Sequence, residues 1–198
     1  MSRRHAPATL RNREPILTVL RRILPSAGVV LEIGSGSGEH AAYFAAALAP
    51  LRWQPSDARD ADFASIVDWA REHGATTVAS PLLLDATSNT WSLTHADAIF
   101  SANVIHIAPW AVAEGIVRGA GRLLPVGAPL VLYGPFKRDG AHTAPSNAAF
   151  DGELRRRDPS WGIRDLAEVA AEAGRHGLDL DEIVEMPANN LTLVLRRR

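Results

Sequence analysis

The sequence contains no cysteine. That excludes disulfides, thiolate metal sites and a cysteine nucleophile. Nor is there a surplus of either charge: 21 Lys and Arg face 22 Asp and Glu, a formal net charge of −1. No global field therefore draws nucleic acid. No apolar run approaches the roughly 20 residues that a membrane-spanning helix needs. The start, Met1-Ser-Arg-Arg-His-Ala-Pro7, is basic and lacks the apolar core of a secretory signal. It reads as part of a flexible arm over residues 1–12 of a cytoplasmic protein. Internal repeats, low-complexity tracts and linkers are also missing. The 198-residue chain is 46% hydrophobic and 22% charged. It is long enough to bury a core without staples and is expected to be one domain over 1–198.

The most informative stretch present is Val29-Val-Leu-Glu-Ile-Gly-Ser-Gly-Ser-Gly-Glu-His40. Val29, Val30, Leu31 and Ile33 form the continuous apolar run of a strand covered on both faces. Gly34, Gly36 and Gly38 allow a sharp turn and a close backbone approach to a ligand, with Ser35 inside the turn. Ala41, Ala42, Phe44, Ala45 and Leu48 follow at helical spacing. Strand, glycine turn and helix together are how open α/β sheets hold nucleotide-like cofactors. The dinucleotide pattern G-x-G-x-x-G is not met, because its third glycine position is Glu39. Glu32 precedes the first glycine by two residues. An acid there repels phosphate and suits a cationic cofactor, which favours S-adenosyl-L-methionine (SAM) over a nicotinamide dinucleotide. Asp57 ends the next strand, about twenty residues beyond the turn, where such folds place a carboxylate on ribose hydroxyls. The other reading of Asp57 is a turn residue capping the helix that starts near Asp60 or Ala61.

With these motifs the chain resembles the class I SAM-dependent methyltransferases, and more closely the methyltransferase-like protein 26 family, a largely uncharacterised group. The resemblance covers nearly the whole chain. Its most specific pieces are Arg11-Asn-Arg-Glu-Pro-Ile16, Glu32 to Gly38, Trp53-Gln-Pro-Ser-Asp57, Asn103-Val-Ile-His106, Tyr133-Gly-Pro-Phe136, Pro145-Ser-Asn147 and Met186-Pro-Ala-Asn-Asn190. It implies a Rossmann-like α/β fold with a seven-stranded, mostly parallel sheet and helices on both faces. It also implies SAM as cofactor, but no substrate. In the resembled fold an acid at the third strand tip, here Asp85, reaches the adenine amino group; the alternative is a cap on Ala86 to Asn89.

The hydropathy pattern alternates helix and strand, as a doubly wound sheet requires. Helices are expected over Glu14–Leu24, Ala64–His73, from Pro109 to Leu124, over Pro145–Arg157 and over Asp165–Arg175. Asp165 and Glu168 have capping-box spacing. Strands are expected over Val78–Leu84, Asp97–Ala102 and Pro129–Tyr133. Leu178–Met186 and Leu191–Leu195 read as a closing antiparallel pair joined by Pro187-Ala-Asn-Asn190. The longest irregular stretch, Gly134 to Ala144, is the natural substrate loop.

Asn103 and His106 follow the fourth strand, whose tip faces both the cofactor's reactive end and the acceptor. Asn103 is assigned to the cofactor. His106 has a pKa range suited to a general base; it equally suits a ring packed under Trp110. His142 is the second candidate base. Tyr133, Phe136, Ser146, Asn147, Asn189 and Asn190 are assigned to the acceptor, with Phe136 stacking on it. Ser146 also fits a helix N-cap, and either Asn189 or Asn190 a left-handed turn. Nearby carboxylates are better used by SAM than by a metal held by His40, His106 and His142, so no metal is expected. The fourth tip carries Asn103-Val-Ile-His106 instead of the Asx-Pro-Pro-aromatic tetrapeptide common in base and amide methylation. With the balanced charge this points to a small-molecule acceptor with an O, N or S nucleophile and away from nucleic acid. Arg155-Arg-Arg157 reads as a solvated face. The alternative to an enzyme is a SAM-binding sensor or interaction module without turnover.

Overall fold

A computed structural model describes residues 3–198. Helix α1 runs over Pro7–Ile23 and strand β1 over Val29–Ile33. They are followed by α2 (Glu39–Ala47), β2 (Arg52–Asp57), α3 (Phe63–Glu72) and β3 (Leu82–Leu83). Next come β4 (Ala98–Ala102), a 3-10 turn over Val104–His106, α4 (Trp110–Leu123) and β5 (Pro129–Gly134). The short strands β6 (Lys137–Arg138) and β7 (Ala141–His142) precede α5 (Pro145–Arg157) and α6 (Leu166–Arg175). The chain closes with β8 (Leu178–Met186), a 3-10 turn over Pro187–Asn189, and β9 (Asn190–Arg197).

Seven strands form one sheet in the order β3-β2-β1-β4-β5-β9-β8. All neighbouring pairs from β3 to β5 are parallel, while β9 runs antiparallel to both β5 and β8. This is the Rossmann-like methyltransferase fold. Strand order reverses between β1 and β4, so a crevice opens beyond their carboxyl ends. Leu31 pairs with Ile99 and Glu32 with Phe100 across that switch point. One sheet face packs Leu31, Ile99, Leu130 and Leu193 against Ile116 and Ala120 of α4 and Val169 of α6. The other packs Val30, Phe100, Val131 and Val194 against Ile16 and Leu20 of α1 and Phe44 of α2. Fully burying one such side chain contributes about 1.5–3 kcal/mol, so this double coverage is what fixes the switch point in place.

Four expectations change. The arm over 1–12 is helical from Pro7, and Arg4 bonds Asp62 and Ser65; Met1 and Ser2 lie outside the described residues. Pro15 sits inside α1 rather than at its start. It removes one N–H, while Thr9, Asn12, Ile16, Leu17 and Leu20 bury a continuous face that offsets the loss. The third strand shrinks to Leu82–Leu83, since Pro81 has no N–H to donate, and Val78 keeps only an isolated bridge to Trp53. The stretch after β5 folds into the β6–β7 hairpin, turned by Asp139 (φ 52°) and Gly140 (φ 77°) and pinned by Gly140 N–H donating to Asp165. Asp165 also caps α6 by accepting from the Ala167 N–H.

Candidate functional site

Two cavities lie at the carboxyl ends of the parallel strands. The first, about 310 Å³, is lined by Gly34 and Gly36 after β1, Asp57, Arg59 and Asp62 after β2, and Leu84 to Ala86 after β3. Ala102, Val104, Ile107, Ala108 and Val112 add an apolar wall. The glycine turn is built to open this space. Gly34 has φ 75°, and a Cβ there would lie 2.3 Å from Val104 Cγ2. Gly36 has φ 50° with nothing within 4 Å of an added Cβ, so its missing side chain leaves the cavity clear. Its N–H donates to Asp57 Oδ2 at 3.0 Å, and Asp57 Oδ1 accepts from the Arg59 N–H at 3.3 Å. Turn and second strand tip are thereby locked together. Asp57, Asp62 and Asp85 face Arg59 and the Arg4 guanidinium that pairs with Asp62 at 2.7 Å, which leaves the lining a small negative excess carried by Asp57 and Asp85. Asp85, exposed, accepts from the N–H and hydroxyl of Thr87 while lining the cavity.

Glu32 does not line that cavity. It is buried, and its Oε2 accepts from Ser35 Oγ at 2.9 Å and from Trp53 Nε1 at 3.0 Å. Burial raises its pKa to about 7 against the pull of those two donors. Ser35 also accepts from the Ser56 N–H, so both side chains brace the turn from below instead of touching a ligand. Gly38 likewise serves packing: its φ is 84°, and a Cβ would lie 2.4 Å from Ile66 Cα.

The second cavity, about 670 Å³, lies on the other side of the β4 tip. Arg11 and Asn12 of α1, Asn103, Tyr133, Ser146, Asn147, Phe150 and the turn Pro187 to Asn190 line it. Asn103, held at φ 63°, belongs to this cavity and not to the first, because β4 alternates sides at its end: Ala102 and Val104 face the first. His40 Nε2 donates to Asn12 Oδ1 at 2.8 Å, and Asn12 in turn hydrogen-bonds Tyr133, fixing one wall. Burial raises the Tyr133 pKa, so its phenol stays neutral. On the opposite wall Asn147 Nδ2 donates to the Asn189 carbonyl at 2.9 Å and Asn189 Nδ2 to Ser146 Oγ at 3.3 Å. Ala188 and Asn189 have φ 57° and 58°, so the left-handed turn reading applies to Asn189.

Besides Glu32, Ser35 and Gly38, three more expected site residues fall outside both cavities. His106 is 0% exposed and packs edge-on against Phe136 at 5.0 Å. Its Nδ1 accepts from the Arg164 N–H at 3.4 Å, and its Nε2 has no hydrogen-bond partner among the described residues. Burial, with the Arg164 charge, pushes its pKa down to about 3, so it is a neutral core histidine and no general base. Phe136, also 0% exposed, is core and cannot stack on an acceptor. His142 Nε2 lies 2.9 Å from Asp151 Oδ2, which also pairs with Lys137 at 3.1 Å. Burial works to raise the Asp151 pKa, but the Ile163 N–H, His142 and Lys137 outweigh it and hold it at about 2. This cluster pins the hairpin to α5. Arg155 joins it through Asp151 Oδ1 at 3.3 Å, so that arginine is in part a fold element. Among the described residues no group of three or more His, Asp or Glu is placed to hold a metal, and no helix is long and apolar enough to cross a membrane.

The sequence reading missed Arg59 and Asp62 in the first cavity and Arg11, Phe150 and Ala188 in the second. Arg11 and Ala188 lay inside quoted motifs, which was the available signal. Phe150 sits on a helix with no strong amphipathic pattern and gave none.

Solved structures share this fold. A mitomycin 7-O-methyltransferase is 18% identical with a TM-score of 0.81, covering 96% of this chain and 54% of its own. CalO1, a methyltransferase in calicheamicin biosynthesis solved in its SAH-bound form, is 18% identical with a TM-score of 0.73, covering 96% and 55%. An O-methyltransferase family 2 protein from Planctomyces limnophilus, solved with apigenin, is 16% identical with a TM-score of 0.75, covering 94% and 62%. This chain thus spans little more than half the length of the structures it matches. Across residues 3–197 it matches the family DUF938, described as a protein of unknown function, and the chain belongs to that family.

Proposed function

We propose that the protein is a SAM-dependent methyltransferase acting on a small molecule. The observation that carries this reading is the pair of cavities meeting at residues 102–104, one lined by a glycine turn and carboxylates, the other by neutral polar groups. The residues of the first cavity fit SAM. Gly36 leaves room at the turn, Asp57 lines the cavity where it would take the ribose hydroxyls, and Leu84, Ala86 and Val112 offer an apolar slot beside Asp85. Its acidic lining disfavours the pyrophosphate of a dinucleotide and matches a cofactor with ammonium and sulfonium charges.

Gly34, Gly36, Asp57 and Asp85 would hold SAM, which when bound would offer an electrophilic methyl to the acceptor's lone pair, the carbon–sulfur electron pair leaving on sulfur. The chain's own residues bind, align and exclude water, which is the main task in such a displacement. Among the described residues the second cavity presents no histidine or carboxylate, and Tyr133 is held neutral. The acceptor's proton then leaves to water, which suits an acceptor that ionises readily. The O-methyltransferase fold neighbours support oxygen as the acceptor atom, alongside N or S. The same lack of an unengaged base favours one second reading, a SAM-binding module without turnover.

Release of S-adenosylhomocysteine (SAH) from SAM, followed with a metabolite extract split by size, tests the proposal. Turnover on the small-molecule fraction is expected. Turnover confined to intact RNA, DNA or protein, or none with any fraction, would contradict it.

A further inference from the structure

The second cavity also bears on what the acceptor carries; the argument rests on its being the acceptor site. Among the described residues its only charged lining group is Arg11. The others are five asparagines (Asn12, Asn103, Asn147, Asn189 and Asn190), Ser146, Tyr133 and apolar surface including Phe150, Pro135 and Pro187. Arg11 is exposed, and among the described residues it makes no ion pair and no hydrogen bond. Its charge exerts a minor downward pull on the Tyr133 pKa.

The amide donors around it are mostly engaged already. Asn147 Nδ2 serves Thr143 Oγ1 and the Asn189 carbonyl, Asn189 Nδ2 serves Ser146, and Asn190 Nδ2 serves the Pro187 and Ala188 carbonyls. The uncommitted strong donor is the guanidinium, whose planar fork matches a carboxylate. Among the described residues no carboxylate lines the cavity to compete for it. A phosphate dianion would leave half its charge unmatched, since among the described residues no second cation lines the cavity.

We propose that the acceptor carries a carboxylate seated on Arg11, with an apolar body against Phe150, Pro135 and Pro187. This anchor is separate from the atom that is methylated, because an ion-paired carboxylate is a poorer nucleophile than a free one.

The test is ligand-observed NMR on the full chain, with and without SAH, using matched probes: benzoate against benzamide, 3-phenylpropionate against its amide, hippurate against its amide, and phenyl phosphate. At least one carboxylate should bind about tenfold or more tightly than its amide, the size of a hydrogen bond to a charged group. Arg11→Gln should erase that preference and Arg11→Lys keep part of it. SAH affinity and melting temperature should stay unchanged in both. No carboxylate preference in any pair, a preference that survives Arg11→Gln, or tighter binding of phenyl phosphate than of every carboxylate would each overturn the inference. A carboxylate preference without SAH binding would leave the Arg11 site standing and sink the methyl-transfer reading instead; SAH binding without the preference would do the reverse.

Discussion

Single residues here divide into those that face a cavity and those that hold the cavity's frame, and each kind predicts a different loss. Asp57 faces the first cavity while accepting from Gly36 and Arg59. Asp57→Asn keeps one carbonyl acceptor for the turn and loses the charge. It should weaken SAH binding by about 1.5–3 kcal/mol with little change in melting, as calorimetry and thermal unfolding would show. Glu32 is frame. Its folded pKa, about 7, lies above the ordinary 4.5, so the fold prefers the protonated carboxyl. The stability it contributes is present below pH 4.5 and is lost as pH rises to about 7, a loss of about 3 kcal/mol. Glu32→Gln should remove this loss, and denaturant titrations should find the variant the more stable protein at pH 8. An unchanged pH profile would mean that Glu32 stays ionised. His106 has the opposite sign. Its pKa is depressed from 6.5 to about 3, so its contribution is full above 6.5 and is lost as pH falls toward 3, at about 1.4 kcal/mol per pH unit. Acid unfolding of His106→Phe should be shallower than that of the parent below pH 6. The assignment of His106 as a base could not be corrected from sequence, because a strand-tip histidine looks alike whether it faces a cleft or lies under Phe136. Glu32 misled for a related reason: its partner Trp53 lies twenty-one residues away and is brought opposite only by the parallel β1–β2 pairing.

At the scale of elements, the glycine turn separates packing from binding within four residues. Gly38→Ala meets the backbone of Ile66 and a left-handed φ at once, and should cost about 2 kcal/mol or more of stability by driving α2 from α3. Gly36→Ala has open space and should lose about 1 kcal/mol of stability, yet its methyl enters the first cavity and should weaken SAH binding at least tenfold. Paired melting and calorimetry measurements distinguish the two; equal behaviour would mean that the turn has one role. The helices and strands with strong local signals were legible. Pro145–Arg157 and Leu178–Met186 have the bounds their patterns predict, since Pro, Arg and Met positions mark true ends. The start of α1 and the length of β3 were not. Both depend on a proline whose cost is settled by tertiary burial, which local patterning does not contain. The β6–β7 hairpin escaped notice because strands two residues long have no periodicity to read.

For the molecule as a whole, the alternation of elements carried the α/β fold, and the chain's resemblance carried the seven-stranded topology with reversed β9. The two-cavity layout was not readable in advance, because it depends on which way β4 turns its last side chains. That layout is the basis for assigning one cavity to SAM and the other to an acceptor. Isothermal titration of SAH and of NADH into the unmodified protein tests this assignment most directly. The acidic, glycine-opened first cavity predicts that SAH binds and that NADH does not. NADH binding with no heat from SAH would contradict it.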